Sequence, residues 1–306
     1  MGGNSLIDPS LPPTVENQFL ITAKAVAPVA QLMAKGHRLV LTHGNGPQVG
    51  FMQLRSHLAR HEVHEVPLDS LVADTQGAIG YMIQRDLREQ LRKLNQDTPV
   101  AALITEVMVD PNDPAIQNPT KPVGRFYSAE EAKRMQDERG WRMVEDAGRG
   151  WRRVVPSPRP LEIVQLDTIR VLAEAGVTVI ACGGGGVPVI KNDDGSIIGL
   201  EGVIDKDLAS ALLAVQLGVK RMFITTGVQH IQRNFGTEYA KALVHTTVAE
   251  LEEMVQLGEF PPGSMGPKVE AAIYFLKNGG EEVTVCTPPA LMEAFEGTAG
   301  TRIRKE

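Results

Sequence analysis

Apolar residues recur at helical spacing over 17–35, Gly36 closes the run, and Arg38-Leu-Val-Leu-Thr42 then reads as a buried strand. The same helix-then-strand unit returns along the chain. A helix is predicted over 75–95 with a strand at 99–105. A helix over 161–175 leads to a strand at 177–182 and another apolar run at 187–190, with Asn192-Asp-Asp-Gly195 as a hairpin turn. A helix at 208–217 precedes a strand at 221–226. Helices at 247–257 and 269–278, a strand at 282–286, a short helix after Pro288 and an edge strand at 300–304 complete the pattern. Such alternation predicts a mostly parallel open sheet with helices on both faces. Only 110–160 breaks it, with clustered prolines, a charged helix near 128–138, and Gly148-Arg-Gly-Trp-Arg-Arg-Val-Val-Pro-Ser-Pro158. So many turn formers predict an excursion, a small subdomain inserted in a single domain spanning 1–306.

Composition narrows the class. The 306 residues are 42% hydrophobic and 22% charged, ordinary for a globular α/β protein, and the net charge of −6 argues against a general nucleic-acid binder. Cys182 and Cys286 each end an apolar strand-like run, and the opening residues resemble neither a signal peptide nor a spanning segment. A cytoplasmic protein with reduced, buried thiols is expected, with no membrane partner.

The candidate chemistry lies in the loops. His43-Gly-Asn-Gly-Pro-Gln-Val-Gly50 follows a strand and precedes a helix, where open parallel sheets place their ligands. Its spacing is not the dinucleotide-binding fingerprint, and no Walker loop occurs. Gly183 to Gly186 form a second run where a ligand can approach the backbone. Lys206 stands between Asp205 and Asp207 at the start of an apolar helix. The acids suit that position as cap and first-turn residues, whereas the lysine opposes the helix dipole unless an anion shares the site. Lys268 likewise opens a helix, and Lys121 sits on the excursion with Arg149, Arg152 and Arg153. Glycine loops with three separate lysines suit phosphoryl transfer, in which Asp205 and Asp207 orient the lysines or hold Mg²⁺. His57, His61 and His64 have a spacing that could serve a metal, against the plainer reading of a solvated helix face. Trp151 is expected to pack the excursion onto the body.

Eight motifs taken together resemble those of the carbamate kinases, within the amino-acid kinase family. They are Gly2-Gly-Asn4, the loop 43–50, Thr75-Gln-Gly-Ala-Ile-Gly-Tyr81, Pro119-Thr-Lys-Pro-Val-Gly124, the run 146–158, Gly183 to Pro188, Val203-Ile-Asp-Lys-Asp-Leu-Ala-Ser210 and Gly266-Pro-Lys-Val-Glu-Ala271. The resemblance implies a three-layer αβα sandwich about an eight-stranded, mainly parallel open sheet with a protruding subdomain. It also implies a homodimer and reversible phosphoryl transfer between carbamoyl phosphate and ADP with Mg²⁺. By it, Lys206, Lys268 and Lys121 stabilise the transferring group and Asp207 organises them, leaving Asp205 as a cap. Gly44, Asn45, Gly46, Gly183, Gly184 and Gly185 would hold the carbamoyl end, with Gly2, Gly3 and Asn4 against the phosphates. Thr226, Gly227, Gln229, Met265, Gly266 and Lys268 would line the nucleotide.

Two departures accompany the resemblance. The family's first glycine pair follows an apolar strand that this sequence lacks, which points to a start codon assigned too late, the alternative being a protein that misses the strand. Gly227 and Gln229 stand where the family carries two aspartates near the nucleotide, and Arg125 replaces a more usual proline. Other readings are a degenerate anion-binding or regulatory protein of the same fold, and a kinase of another small carbamate or carboxylate.

Overall fold

The computed structural model describes residues 1–2, 10–146, 148–260 and 265–306. Helix α1 (Val15–Ala34) starts where Thr14 accepts from the Asn17 N–H, and leads to strand β1 (Val40–Leu41). Helix α2 (Gln48–Ala59) and the long α3 (Leu68–Lys93) follow. The periodicity placed the start of α3 at 75, but the buried stripe begins at Leu68 and runs through Leu71, Val72, Thr75, Gln76 and Ile79. The polar pair Thr75 and Gln76 interrupts the apolar pattern without leaving the buried face. The strand predicted at 99–105 is the shorter β2 (Val100–Ala102), and a further strand, β3 (Glu106–Val109), follows just beyond that region.

The excursion holds a short helix α4 (Pro114–Gln117), strand β4 (Lys121–Tyr127), helix α5 (Ala129–Arg139), and strands β5 (Met143–Glu145) and β6 (Trp151–Val155). Strands β4 and β5 flank β6 in an antiparallel sheet. Ala132 and Met135 of α5 pack with Met143, Tyr127, Trp141 and Trp151, so Trp151 packs in the subdomain's own core rather than in one shared with the body.

The chain returns through β7 (Pro160–Ile163), α6 (Leu166–Glu174) and β8 (Thr178–Ile180). The predicted helix over 161–175 is therefore corrected at its start: residues 160–163 pair antiparallel with β3, Ile163 opposite Val107. Pro160 cannot donate within a helix, and Ile163 gains a core position in the ladder. Strands β9 (Val187–Lys191) and β10 (Ile197–Gly199) form the expected hairpin, with the Gly195 N–H donating to the Asn192 carbonyl. Then come α7 (Lys206–Gln216), β11 (Arg221–Thr225), the ribbon β12 (Gln232–Arg233) and β13 (Lys241–Ala242), β14 (His245–Thr247), α8 (Val248–Gln256), α9 (Gly266–Lys277), β15 (Glu282–Cys286), α10 (Leu291–Glu296) and β16 (Thr301–Arg304).

Strands β1 and β2 pair parallel with β8 between them. A second ladder runs β11-β15-β16-β14, with β11 parallel to β15 and β16 antiparallel to it. A third runs β10-β9-β3-β7. Among the described residues the central sheet is thus divided rather than one continuous ladder of eight. β1 and β11 are end strands, and a cavity of about 690 Å³ lies between them. Both cysteines are buried, free thiols, and among the described residues no helix is long and apolar enough to cross a membrane.

Candidate active site

The α7 N-terminus gathers the charges that the sequence singled out. Asp205 caps the helix, its Oδ1 accepting from the Asp207 N–H at 2.9 Å. Its Oδ2 accepts from Lys121 Nζ of β4 at 2.8 Å, so Asp205 is more than the simple cap expected. Asp207, 5% exposed, accepts from Lys206 Nζ on Oδ1 and from Lys268 Nζ on Oδ2, the latter at 3.2 Å. Lys268 belongs to the first turn of α9, which packs beside α7. One buried carboxylate therefore bridges two lysines from two helices. Burial alone would raise the Asp207 pKa, but Lys206 and Lys268 overcome it and hold the group at about 2, against an ordinary 3.8.

The two glycine loops are stitched together beside this cluster. The Gly184 N–H donates to the His43 carbonyl at 2.7 Å. Gly183 lies so close to His43 that a Cβ there would sit 2.4 Å from Nε2. Gly184 has φ +68, and a Cβ would meet the Asn45 amide nitrogen at 2.6 Å. Gly44, Asn45, Gly183, Gly184 and Gly185 are buried, whereas Gly46 is exposed. Asn45 Nδ2 is buried without a hydrogen-bond partner, an orphan donor beside the paired backbones of the two loops.

His43 and Gln48 belong to the loop motif 43–50, yet their places in the sequence point to no role for either. His43 is enclosed, its ring nitrogen Nδ1 3.0 Å from the Gly44 carbonyl oxygen. Burial pushes its pKa down to about 4, which keeps the imidazole neutral near pH 7. Gln48, 5% exposed, leaves both amide atoms unpartnered at the start of α2. A polar side chain at a strand-to-helix loop that neither caps nor follows the helical apolar stripe was the available signal.

The remaining expectations separate. Gly2 is buried, while Gly3 and Asn4 lie outside the described residues. Thr226 follows β11, its N–H bonded to the Cys286 carbonyl, and Gly227 and Gln229 are exposed beyond it. Met265 and Gly266 begin α9 directly before Lys268. The excursion's arginines do not join the lysines: Arg149 and Arg152 pair with Asp146, and Arg153 pairs with Glu201 and stacks over Trp141. Helix α2 ends at Ala59, so His61 and His64 fall beyond the face His57 occupies. His57 instead sits 3.5 Å from Glu65 and against Trp141. No cluster of metal-ligating side chains occurs among the described residues.

Residues 1–287 match the amino acid kinase family, and the chain belongs to that family. Within it, the chain is 46% identical to a carbamate kinase of Pyrococcus horikoshii over 99% of this chain and 97% of that protein. It is 42% identical to the carbamate kinase-like protein YahI of Escherichia coli, over 100% of this chain and 97% of that one. Carbamate kinase from Giardia lamblia bound to AMP-PNP superposes with a TM-score of 0.93 at 38% identity, covering 100% and 96% of the two chains.

Proposed function

We propose that this protein is a carbamate kinase, which transfers the phosphoryl group of carbamoyl phosphate to ADP to give carbamate and ATP, reversibly. The bridge of Asp207 between Lys206 and Lys268 carries the reading. An oxygen of the ADP β-phosphate attacks phosphorus, the bond from phosphorus to the carbamoyl oxygen breaks, and carbamate leaves with that electron pair. No protein nucleophile is needed. The transition state spreads negative charge over the equatorial phosphoryl oxygens, and preorganised cations answer it. Asp207 holds two lysines in register without neutralising the pair, and Asp205 brings Lys121 down from β4. The buried Gly44–Asn45 and Gly183–Gly185 backbones, with the orphan Asn45 amide, suit a small polar carbamoyl group.

Mg²⁺ fits as part of the nucleotide substrate. Asp205 and Asp207 each already accept from lysines, and this ion usually keeps its waters and binds through substrate phosphates. In this reading residues 1–306 form one kinase domain with 110–160 as the inserted subdomain. Gly2, Gly3 and Asn4 are assigned to the phosphates, and Thr226, Gly227, Gln229, Met265, Gly266 and Lys268 to the nucleotide. A cytoplasmic homodimer completes it. ATP release from carbamoyl phosphate and MgADP, followed in a coupled assay, tests the reaction. Saturable carbamoyl phosphate binding without ATP release would instead indicate a binding protein. Turnover with another carbamoyl or acyl phosphate alone would reassign the substrate.

A further inference from the structure

Four successive glycines carry no side chains to fix their own backbone, so the shape of the loop 183–186 is imposed by its neighbours. Gly184, Gly185 and Gly186 have φ of +68, +102 and +84, and Cys182 before them has φ +50, a conformation that a residue with a Cβ rarely adopts. One residue holds both ends of this run. The Cys182 N–H donates to Thr105 Oγ1 at 3.0 Å, and the Val187 N–H donates to the Thr105 carbonyl at 2.9 Å. The second bond continues the ladder between β3 and β9. The first does not, and it is made by a side chain.

Thr105, fully buried between β2 and β3, is itself held in place. Gln76 of α3 accepts from the Thr105 N–H at 2.8 Å and donates through Nε2 to the Thr105 carbonyl at 3.0 Å. The Thr105 hydroxyl donates to the Leu103 carbonyl at 3.0 Å while it accepts from Cys182, so both of its hydrogen-bonding capacities are used and its rotamer is fixed. Valine at this position would keep the shape and lose both bonds. The loop has little freedom to shift alone: a Cβ at Gly185 would overlap the Ile204 carbonyl, two residues before Lys206. Movement of Cys182 would therefore press the glycine backbone against the segment that leads into α7.

We propose that Thr105 is a positioning residue for the transfer: its hydroxyl holds Cys182 in the left-handed conformation and so sets the backbone of Gly183 to Gly185 around the carbamoyl group. This role rests on the carbamate kinase reading above, since it supplies what orders the cradle. Thr105 acts through the loop and not on the substrate. An ordered cradle works by orientation, which concerns the carbamoyl end and the chemical step and leaves nucleotide binding alone.

Thr105→Val and Thr105→Ser, compared with the wild type in the coupled assay, test this. The valine variant should lower kcat by about tenfold or more and leave the KM for MgADP within about twofold, because a small misplacement at the reacting centre is costly. The serine variant keeps the hydroxyl and should recover most of the loss. Gln76→Met, which releases the Thr105 main chain but not its hydroxyl, should give a smaller fall in the same direction, and it carries the comparison should the valine variant fail to fold. Hydrogen exchange over 182–187 should quicken in the valine variant and not in the serine one. Wild-type kcat in the valine variant, equal losses with valine and serine, or a KM for MgADP that rises as kcat falls overturns the proposal. An inactive wild type would instead overturn the reaction assigned above, and exchange over 182–187 would then decide whether the hydroxyl holds the loop.

Discussion

Lys121 Nζ lies 2.8 Å from Asp205 Oδ2, and the other oxygen of that carboxylate caps α7. A single side chain thus fixes the helix that presents Lys206 and anchors the subdomain strand that presents Lys121. The two duties can be separated. Asp205→Asn keeps a cap of similar strength and loses the ion pair, so turnover should fall at least about tenfold with little change in melting temperature. Asp205→Ala should also lose about 1 kcal/mol of stability. Thermal melts beside the coupled assay distinguish them, and wild-type turnover in the asparagine variant would remove Lys121 from the reaction.

Lys206→Ala and Lys268→Ala should each lower kcat by about 10²- to 10³-fold, the usual effect of deleting one stabiliser of transition-state charge, with a smaller change in KM. Arginine should not restore either, because a planar fork cannot reproduce a point charge seated on one oxygen of Asp207. Steady-state kinetics on both variants check this.

Asp207 should be costly to neutralise. Asp207→Asn leaves two lysines facing one another, one of them against a buried amide, and a loss of about 3–5 kcal/mol is expected by denaturant titration. In the native protein its folded pKa of about 2 lies below the ordinary 3.8. Its stabilisation, about 2 kcal/mol, is therefore present above pH 4 and lost as pH falls toward 2.

His43 acts over a different pH range. Its folded pKa of about 4 lies below the ordinary 6.5, so the unfolded chain binds the extra proton between those values and stability falls as pH drops through that window. At pH 5 the loss relative to pH 7 should be about 2 kcal/mol. Urea midpoints across pH 4–8 read the effect.

The lysines and glycine loops were legible because their chemistry is local. A cation at a helix start, or consecutive residues without Cβ, conflicts with ordinary patterning wherever it occurs. What was not legible depended on long-range pairing. Residues 160–163 have an apolar pattern that suits a helix turn, and only β3 across the sheet makes them a strand. Thr75 and Gln76 look like a break in a helix, yet the Gln76 side chain satisfies both main-chain groups of Thr105. Arg153 reads as a site cation, but its partner Glu201 lies 48 residues away on the body, whereas Arg149 and Arg152 find Asp146 close by in sequence. Asp205 offered no sign of its second partner, because Lys121 is far away in sequence and arrives only when β4 folds over α7.

The contact between the two glycine loops supplies the last test. In Gly183→Ala the new Cβ would fall 2.4 Å from His43 Nε2 and 3.0 Å from Gln76 Cγ, and neither enclosed side chain has room to withdraw. A loss of about 1–3 kcal/mol and a severe fall in kcat are expected, since the displaced loop carries the backbone proposed to hold the carbamoyl group. His43→Ala alone should also destabilise the protein by leaving a cavity. Combined, the two should cost less than their sum by about 1 kcal/mol or more, because the alanine at 183 then enters the space vacated by the ring. A double-mutant cycle by urea denaturation measures this coupling. Strict additivity would mean that the two loops do not position one another through this contact.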